Sequence, residues 1–214
     1  MSLSPEITSA LRTLCRGSEC IEAVLNMNTA ENRFTRALED LQRLSEHQDI
    51  PLAIVGGLGA IHFGYPAATQ DIDIAVDKAD LQSMIDFSPR YGFKVAWESK
   101  LGWHTLTHDD VEINIVPEGG KANDSSPTAI PGPTQMGVSA GLNYPVIERW
   151  MELKISSGRQ KDRAHIVEVL KLSDQPTADR IRDHLKLVHD SYEQTFVQLL
   201  AEAEEERQQE KERR

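Results

Sequence analysis

The chain has 214 residues, 39% of them hydrophobic, with a net charge of −11 and two cysteines. That length and apolar fraction suit one ordinary domain, or one core with a helical extension. The acidic balance argues against broad nonspecific nucleic-acid binding, which depends on neutralising phosphates, while leaving room for a local basic patch. No apolar run approaches the roughly 18 residues that a membrane helix requires. The first residues lack a signal peptide's apolar core, so a cytoplasmic protein that does not engage a membrane is expected. Cys15 and Cys20 read as free thiols of a reducing compartment.

In chain order, residues 1–28 read as helical, with Leu11, Leu14, Ile21, Val24 and Leu25 as apolar points. From Thr29 the pattern sharpens: Phe34, Ala37, Leu38, Leu41 and Leu44 form one helical stripe, expected to lie against the following sheet. The apolar run from Leu52 to Val55 reads as a buried strand. Gly56 and Gly57 follow, and Leu58 to Phe63 has helical spacing. The glycine pair therefore sits at a strand-to-helix turn, where backbone approaches a ligand closely and free N–H groups suit a phosphate. Gln70 to Asp77 reads as a second strand. Its alternation sends Asp71 and Asp73 to one face, Ile72 and Ile74 to the other. Two such carboxylates repel, and a hard cation between them, usually Mg²⁺, relieves the repulsion. A phosphate-cradling turn facing a carboxylate pair is equipment for a nucleoside triphosphate.

Ala79 to Phe87 then reads as a helix capped by Asp77. Phe93 to Glu98 and Trp103 to Thr107 read as a hairpin turning at residues 100–102. Val111 to Val116 alternates, with Val111, Ile113 and Ile115 on one side and Glu112 and Asn114 on the other. Residues 118–135, rich in Pro, Gly and Ser, read as a mobile loop of the length that often carries function. From Tyr144 the pattern is helical. Val146, Ile147, Trp150, Leu153 and the stem of Lys154 form a stripe that ends at Gly158. Lys161 to Leu172 follows, with Ile166, Val169 and Leu170 inward, and then Thr177 to Asp190. The last helix runs from Ser191 to about Glu206, and the charged tail after it reads as a solvated, fraying end. His104 and His108 are four apart, but on a strand that separates them by about 13 Å, so zinc is not expected. Trp103 and Trp150 read as core, and Asp109-Asp110 as a turn.

Gly56-Gly57, thirteen intervening residues and Asp71-Ile72-Asp73 together resemble the signature of the DNA polymerase β-like nucleotidyltransferase superfamily. The nearest branch is the AbiEii/AbiGii-toxin-like one, and the likeness spans about residues 50–172. It implies an α/β (α+β) fold: a small mixed, twisted sheet flanked by helices, with a helical C-terminal part. The expected parts are residues 1–48, 49–143 and 144–214. The implied activity moves a nucleoside monophosphate from an NTP to an acceptor hydroxyl on RNA, protein or a small molecule, with Mg²⁺. Asp71 and Asp73 would be catalytic metal ligands, while Gly56, Gly57 and Thr69 would bind the nucleotide. The segment from Met151 to Asp162 resembles the branch's K-x-x-A-x-R-x-K-D stretch. It implies that Lys154 and Arg159 meet the triphosphate and that Asp162 joins the active site, although Asp162 equally suits a helix N-terminal dipole partner.

Two positions depart from that pattern. The family's third carboxylate falls on Asn114, whose oxygen can meet a cation or nucleotide but which cannot act as a base; Glu112, on the same face, is the alternative. Ala67 stands where relatives carry an arginine. These departures motivate a second reading, a degenerate, catalytically weak nucleotide-binding or interaction protein. The resemblance further implies a tRNA or protein acceptor and an antitoxin-like partner, with a homo-oligomer as another option.

Overall fold

The computed structural model describes residues 33–99 and 103–213. The helical reading of residues 1–28, both cysteines and the turn at 100–102 lie outside those residues. Two compact units emerge: residues 33–120 with 130–145, and residues 121–129 with 146–213.

The first unit opens with α1 (Arg33–Gln48), which buries Ala37, Leu41, Leu44 and Ser45. Six strands follow: β1 (Leu52–Ile54), β2 (Asp71–Val76), β3 (Lys94–Glu98), β4 (His104–His108), β5 (Val111–Pro117) and β6 (Leu142–Asn143). Two short helices are interspersed, α2 (Gly56–His62) and α3 (Leu81–Phe87). The strands form one mixed sheet in the order β3-β4-β5-β2-β1-β6. Here β2 runs parallel to β5 and β1 parallel to β6, while the other neighbours are antiparallel. The chain is thus a mixed α/β protein with a six-stranded sheet and helices around it.

Burial alternates along β5: Val111, Ile113 and Ile115 are inside, whereas Glu112 is exposed. The register carries that apolar face across the sheet through Ile72, Ile74 and Leu106, all fully buried. Asp109 and Asp110 close the β4–β5 hairpin with φ of 48° and 62°, the left-handed pair that a tight two-residue turn demands. His108 turns toward α1, its Nε2 2.8 Å from Asp40 Oδ2, and His104 lies 3.7 Å from Glu98. The two histidines therefore have separate partners, and among the described residues no group of three or more His, Cys, Asp or Glu is arranged to hold a metal.

Asp77 does not cap α3. That helix begins at Leu81 with Asp80 in the cap position, and Asp77 Oδ2 instead accepts the Thr134 hydroxyl at 2.6 Å. The stretch 118–135 is a loop as expected, with its ends tied together where Gly119 N donates to Ile130 O at 2.9 Å and Ile130 N to Gly120 O at 2.8 Å.

The second unit holds α4 (Ile147–Ser157), α5 (Gln160–Leu172), α6 (Gln175–Val188) and α7 (Asp190–Glu212). Its loop 121–129 is tied to α4 by Asn123 Nδ2, which donates to Ser156 O and Ser157 O at 2.8 and 2.9 Å. The inward face of α4 is Trp150, Met151, Lys154 and Ile155, with Glu152 and Ser156 also buried. Val146 is half-exposed and Leu153 only partly buried, so the expected stripe was rotated about the helix axis. The charged tail does not fray. α7 continues to Glu212 because Lys171 gathers Glu168, Glu206 and Glu210 within 3.0, 3.1 and 2.6 Å. Arg207 adds a hydrogen bond to Leu170 O at 2.7 Å. Among the described residues no helix is long and apolar enough to cross a membrane.

Candidate nucleotide and metal site

β1 ends where Val55 N donates to Asp73 O at 2.8 Å, and Gly56 follows with φ +64°. A Cβ at Gly56 would lie 1.8 Å from Asp73 Oδ2, and one at Gly57 would lie 2.8 Å from Thr69 Oγ1. Both positions need glycine because the turn is pressed directly against the carboxylate strand. The turn and the pair, separated in sequence, form one local structure.

The carboxylates are half-buried and held in defined orientations. Thr69 Oγ1 stands 2.9 Å from Asp71 Oδ1 and 3.1 Å from Asp71 O. Asn114, register partner of Asp73, donates through Nδ2 to Asp71 Oδ2 at 3.3 Å and Asp73 Oδ1 at 3.2 Å. Its own Oδ1 accepts from Thr105 Oγ1 at 3.2 Å. The amide thus sits between the two acids and offsets their repulsion, a role that alternation along a single strand did not reveal. Thr105 also escaped the sequence reading, because only the β4–β5 register brings it to Asn114. Glu112 pairs with Asp71 and so shares this face, but it is exposed.

The two carboxylates are hard donors, which suit one Mg²⁺ that keeps waters and phosphate oxygens as its remaining ligands, while the Asn114 oxygen is turned away to Thr105. The set does not supply the three carboxylates of a two-metal centre.

The second unit carries its own charged cluster. Lys154, 4% exposed, places Nζ 2.6 Å from Oδ1 of the fully buried Asp162. Arg159 Nε donates to Asp162 Oδ2 at 2.6 Å, and the Ser157 hydroxyl bonds the same oxygen. Burial pushes the Asp162 carboxyl up, but the Lys154 charge and the three donors outweigh it and hold the group below its usual range. His165 lies 3.5 Å from Lys154 Nζ. Burial, and then the Lys154 charge, lower its pKa to about 4. Trp150 is fully buried as anticipated, with Lys154 Nζ 5.6 Å from its ring centre.

No protein-family model matches the chain, and no curated protein does. Solved structures do resemble it. One from Thermotoga maritima, described as a candidate nucleotidyltransferase, is 15% identical over 68% of this chain and 97% of that one, with a TM-score of 0.45. ANT(2'')-Ia in complex with adenylyl-2''-tobramycin is 14% identical over 81% of this chain and 98% of that one, at 0.43. The Thermotoga maritima CCA-adding enzyme complexed with tRNA is 14% identical over 78% of this chain and 45% of that one, at 0.38. Scores below 0.5 at such identities leave the function to be argued from the site's own geometry.

Proposed function

We propose that the chain is a nucleotidyltransferase, moving a nucleoside monophosphate from an NTP to an acceptor hydroxyl. The observation that carries this reading is the packing of the Gly56-Gly57 turn against Asp73 and Thr69, which joins a polyphosphate cradle to a metal-binding carboxylate pair. Asp71 and Asp73 would hold Mg²⁺, which supplies charge neutralisation as pyrophosphate leaves. Gly56 and Gly57 admit the triphosphate against backbone, and Thr69 fixes Asp71. Asn114 keeps the two acids apart in a set geometry. Glu112 is the carboxylate available on that face to take the acceptor's proton. Lys154 and Arg159 already commit their charge to Asp162, so we assign these three to the cohesion of the second unit. The toxin-like branch, with its tRNA acceptor and antitoxin-like partner, rests on the motif likeness over about residues 50–172 alone.

Calorimetric titration with each NTP, with and without Mg²⁺, tests the site. Metal-dependent binding is expected in the natural chain and its loss in Asp71→Asn/Asp73→Asn. Binding indifferent to both metal and substitution would refute the reading.

Asn114 favours a second reading, a nucleotide-binding protein that turns over slowly or not at all. The two diverge with labelled NTP: Glu112→Gln slows transfer in an enzyme and changes nothing in a degenerate relative.

A further inference from the structure

The sheet face that carries Asp71 and Asp73 extends well beyond them. Following the register, Asp73 pairs with Asn114, Asn114 with Thr105, and Thr105 with Trp97. In the neighbouring row Asp71 leads to Glu112, Thr107 and Lys94. Paired residues share a face, so these two rows place eight side chains on it, none of them aliphatic; the next row on that face, Ala53, Ala75 and Val116, is apolar.

Trp97 reaches it through an irregularity. Val95 pairs with Leu106, but the next pair in register is Trp97 with Thr105, leaving Ala96 as an extra residue. Regular pairing would set Trp97 opposite His104, whose row runs through Ile115 and Ile74 on the apolar side. The bulge turns the indole over to the carboxylate side, as bulges beside active sites do. There it is 55% exposed, a large apolar surface left in water. Three strand spacings put it about 14 Å from Asp73.

The direction matters. The Gly56 turn lies at the end of β1, on one side of β2, and β5, β4 and β3 lie on the other. In-line displacement brings the attacking hydroxyl from the side opposite the leaving pyrophosphate. With the triphosphate against the glycine turn, the acceptor therefore arrives over Asn114, Thr105 and Trp97. With Mg²⁺ on Asp71 and Asp73, these rows retain Glu112 against Lys94, so they offer no net positive charge to hold a polyanionic acceptor. Resting on the nucleotidyltransferase reading, we propose that Trp97 is the acceptor-binding platform, and that the acceptor is a small hydroxylated ring compound, neutral or cationic. Its ring or ammonium group packs on the indole while a hydroxyl reaches the carboxylate end; an indole face suits both, and attracts a cation most strongly of the aromatic side chains.

The full chain labelled with 5-fluorotryptophan gives three ¹⁹F resonances, one for each tryptophan. Trp97→Phe identifies the relevant one. The labelled protein is saturated with Mg²⁺ and a non-transferable methylene ATP analogue, then titrated with a chitosan trisaccharide, maltotriose or an RNA trinucleotide. The Trp97 signal is expected to stay in place with nucleotide alone, and to move saturably with at least one sugar but not with RNA. Trp97→Ala should weaken that sugar's binding at least tenfold while nucleotide binding, followed by calorimetry, is unchanged. A shift with nucleotide alone would make Trp97 a base platform and overturn the proposal. So would a response to RNA only, or none to any probe. Absence of Mg²⁺-dependent nucleotide binding in the same samples would instead refute the underlying site, whatever Trp97 does.

Discussion

Replacing Asn114 by Asp restores the third carboxylate at the one place where the site departs from a two-metal centre. Without metal the change should be costly. The amide donates to Asp71 at 3.3 Å and to Asp73 at 3.2 Å, and both bonds vanish. Each is long and half-exposed, so each loss is worth about 1 kcal/mol. A carboxylate in the same place then faces two like charges, at about 1 kcal/mol each if fully water-screened and about 4 kcal/mol each at an effective dielectric of 20. Partial protonation of the trio limits the repulsion, and a net destabilisation of about 4–6 kcal/mol follows. For the unit holding the sheet, that lowers the melting temperature by roughly 15–25 °C in EDTA. Mg²⁺ should reverse the loss, since the added charge strengthens metal binding and binding stabilises by mass action. Thermal melts of both proteins in EDTA and in a Mg²⁺ series read this directly. Equal stability in EDTA would show that Asn114 does not bridge the acids. A Mg²⁺ response no larger than that of the natural chain would show that the acids do not hold a metal.

Lys154→Met removes the charge from a buried pair and leaves Asp162 with Arg159 and Ser157, so chemical denaturation should show a loss of about 2–4 kcal/mol. Nucleotide affinity measured on the folded variant should be unchanged; a large drop with intact stability would return Lys154 to the triphosphate. His165 has its pKa lowered from 6.5 to about 4, so the unfolded chain binds more protons between those values. Its contribution is complete above pH 6.5, declines as pH falls toward 4, and is flat below. The ring is partly exposed, which reduces the nominal difference to about 1–2 kcal/mol. His165→Gln should flatten that part of the stability profile. Some slope must persist from His62, which burial shifts the same way, and below 3.8 the loss of Asp162 ionisation takes over. An unchanged profile would refute the burial of His165.

What could be read from the sequence was whatever is encoded locally. The alternation of Val111, Ile113 and Ile115 gave the buried face of β5, and glycine spacing gave the turn, because each reflects a repeat within one element. Features that join distant elements were not visible. The tail of α7 looked like a solvated charge run because the partner of its acids, Lys171, lies 35 and 39 residues away from Glu206 and Glu210. Thr105 reaches Asn114 only through strand pairing. The position of Trp97 depends on one extra residue in β3, and moving a bulge by a single position would reverse its face without changing the composition of the strand.

Asn114 sharpens the meaning of a carboxylate pair. Two acids on one strand face were expected to need a cation, yet an amide between them answers the same electrostatic demand with two hydrogen bonds. Repulsion alone therefore does not select a metal. On the nucleotidyltransferase reading proposed above, what would select it is the turn on the other side: Gly56 holds no side chain where one would strike Asp73 Oδ2 at 1.8 Å, so backbone and carboxylate meet at a distance that only glycine permits. A purely structural acid pair bridged by an amide has no need of that approach, whereas a site that must fit polyphosphate between backbone and metal does. On that reading the amide would hold the two acids in place before a cation arrives and yield one or both bonds when it binds. Asn114→Asp separates these demands, since it abolishes the bridge and strengthens the metal site in one step.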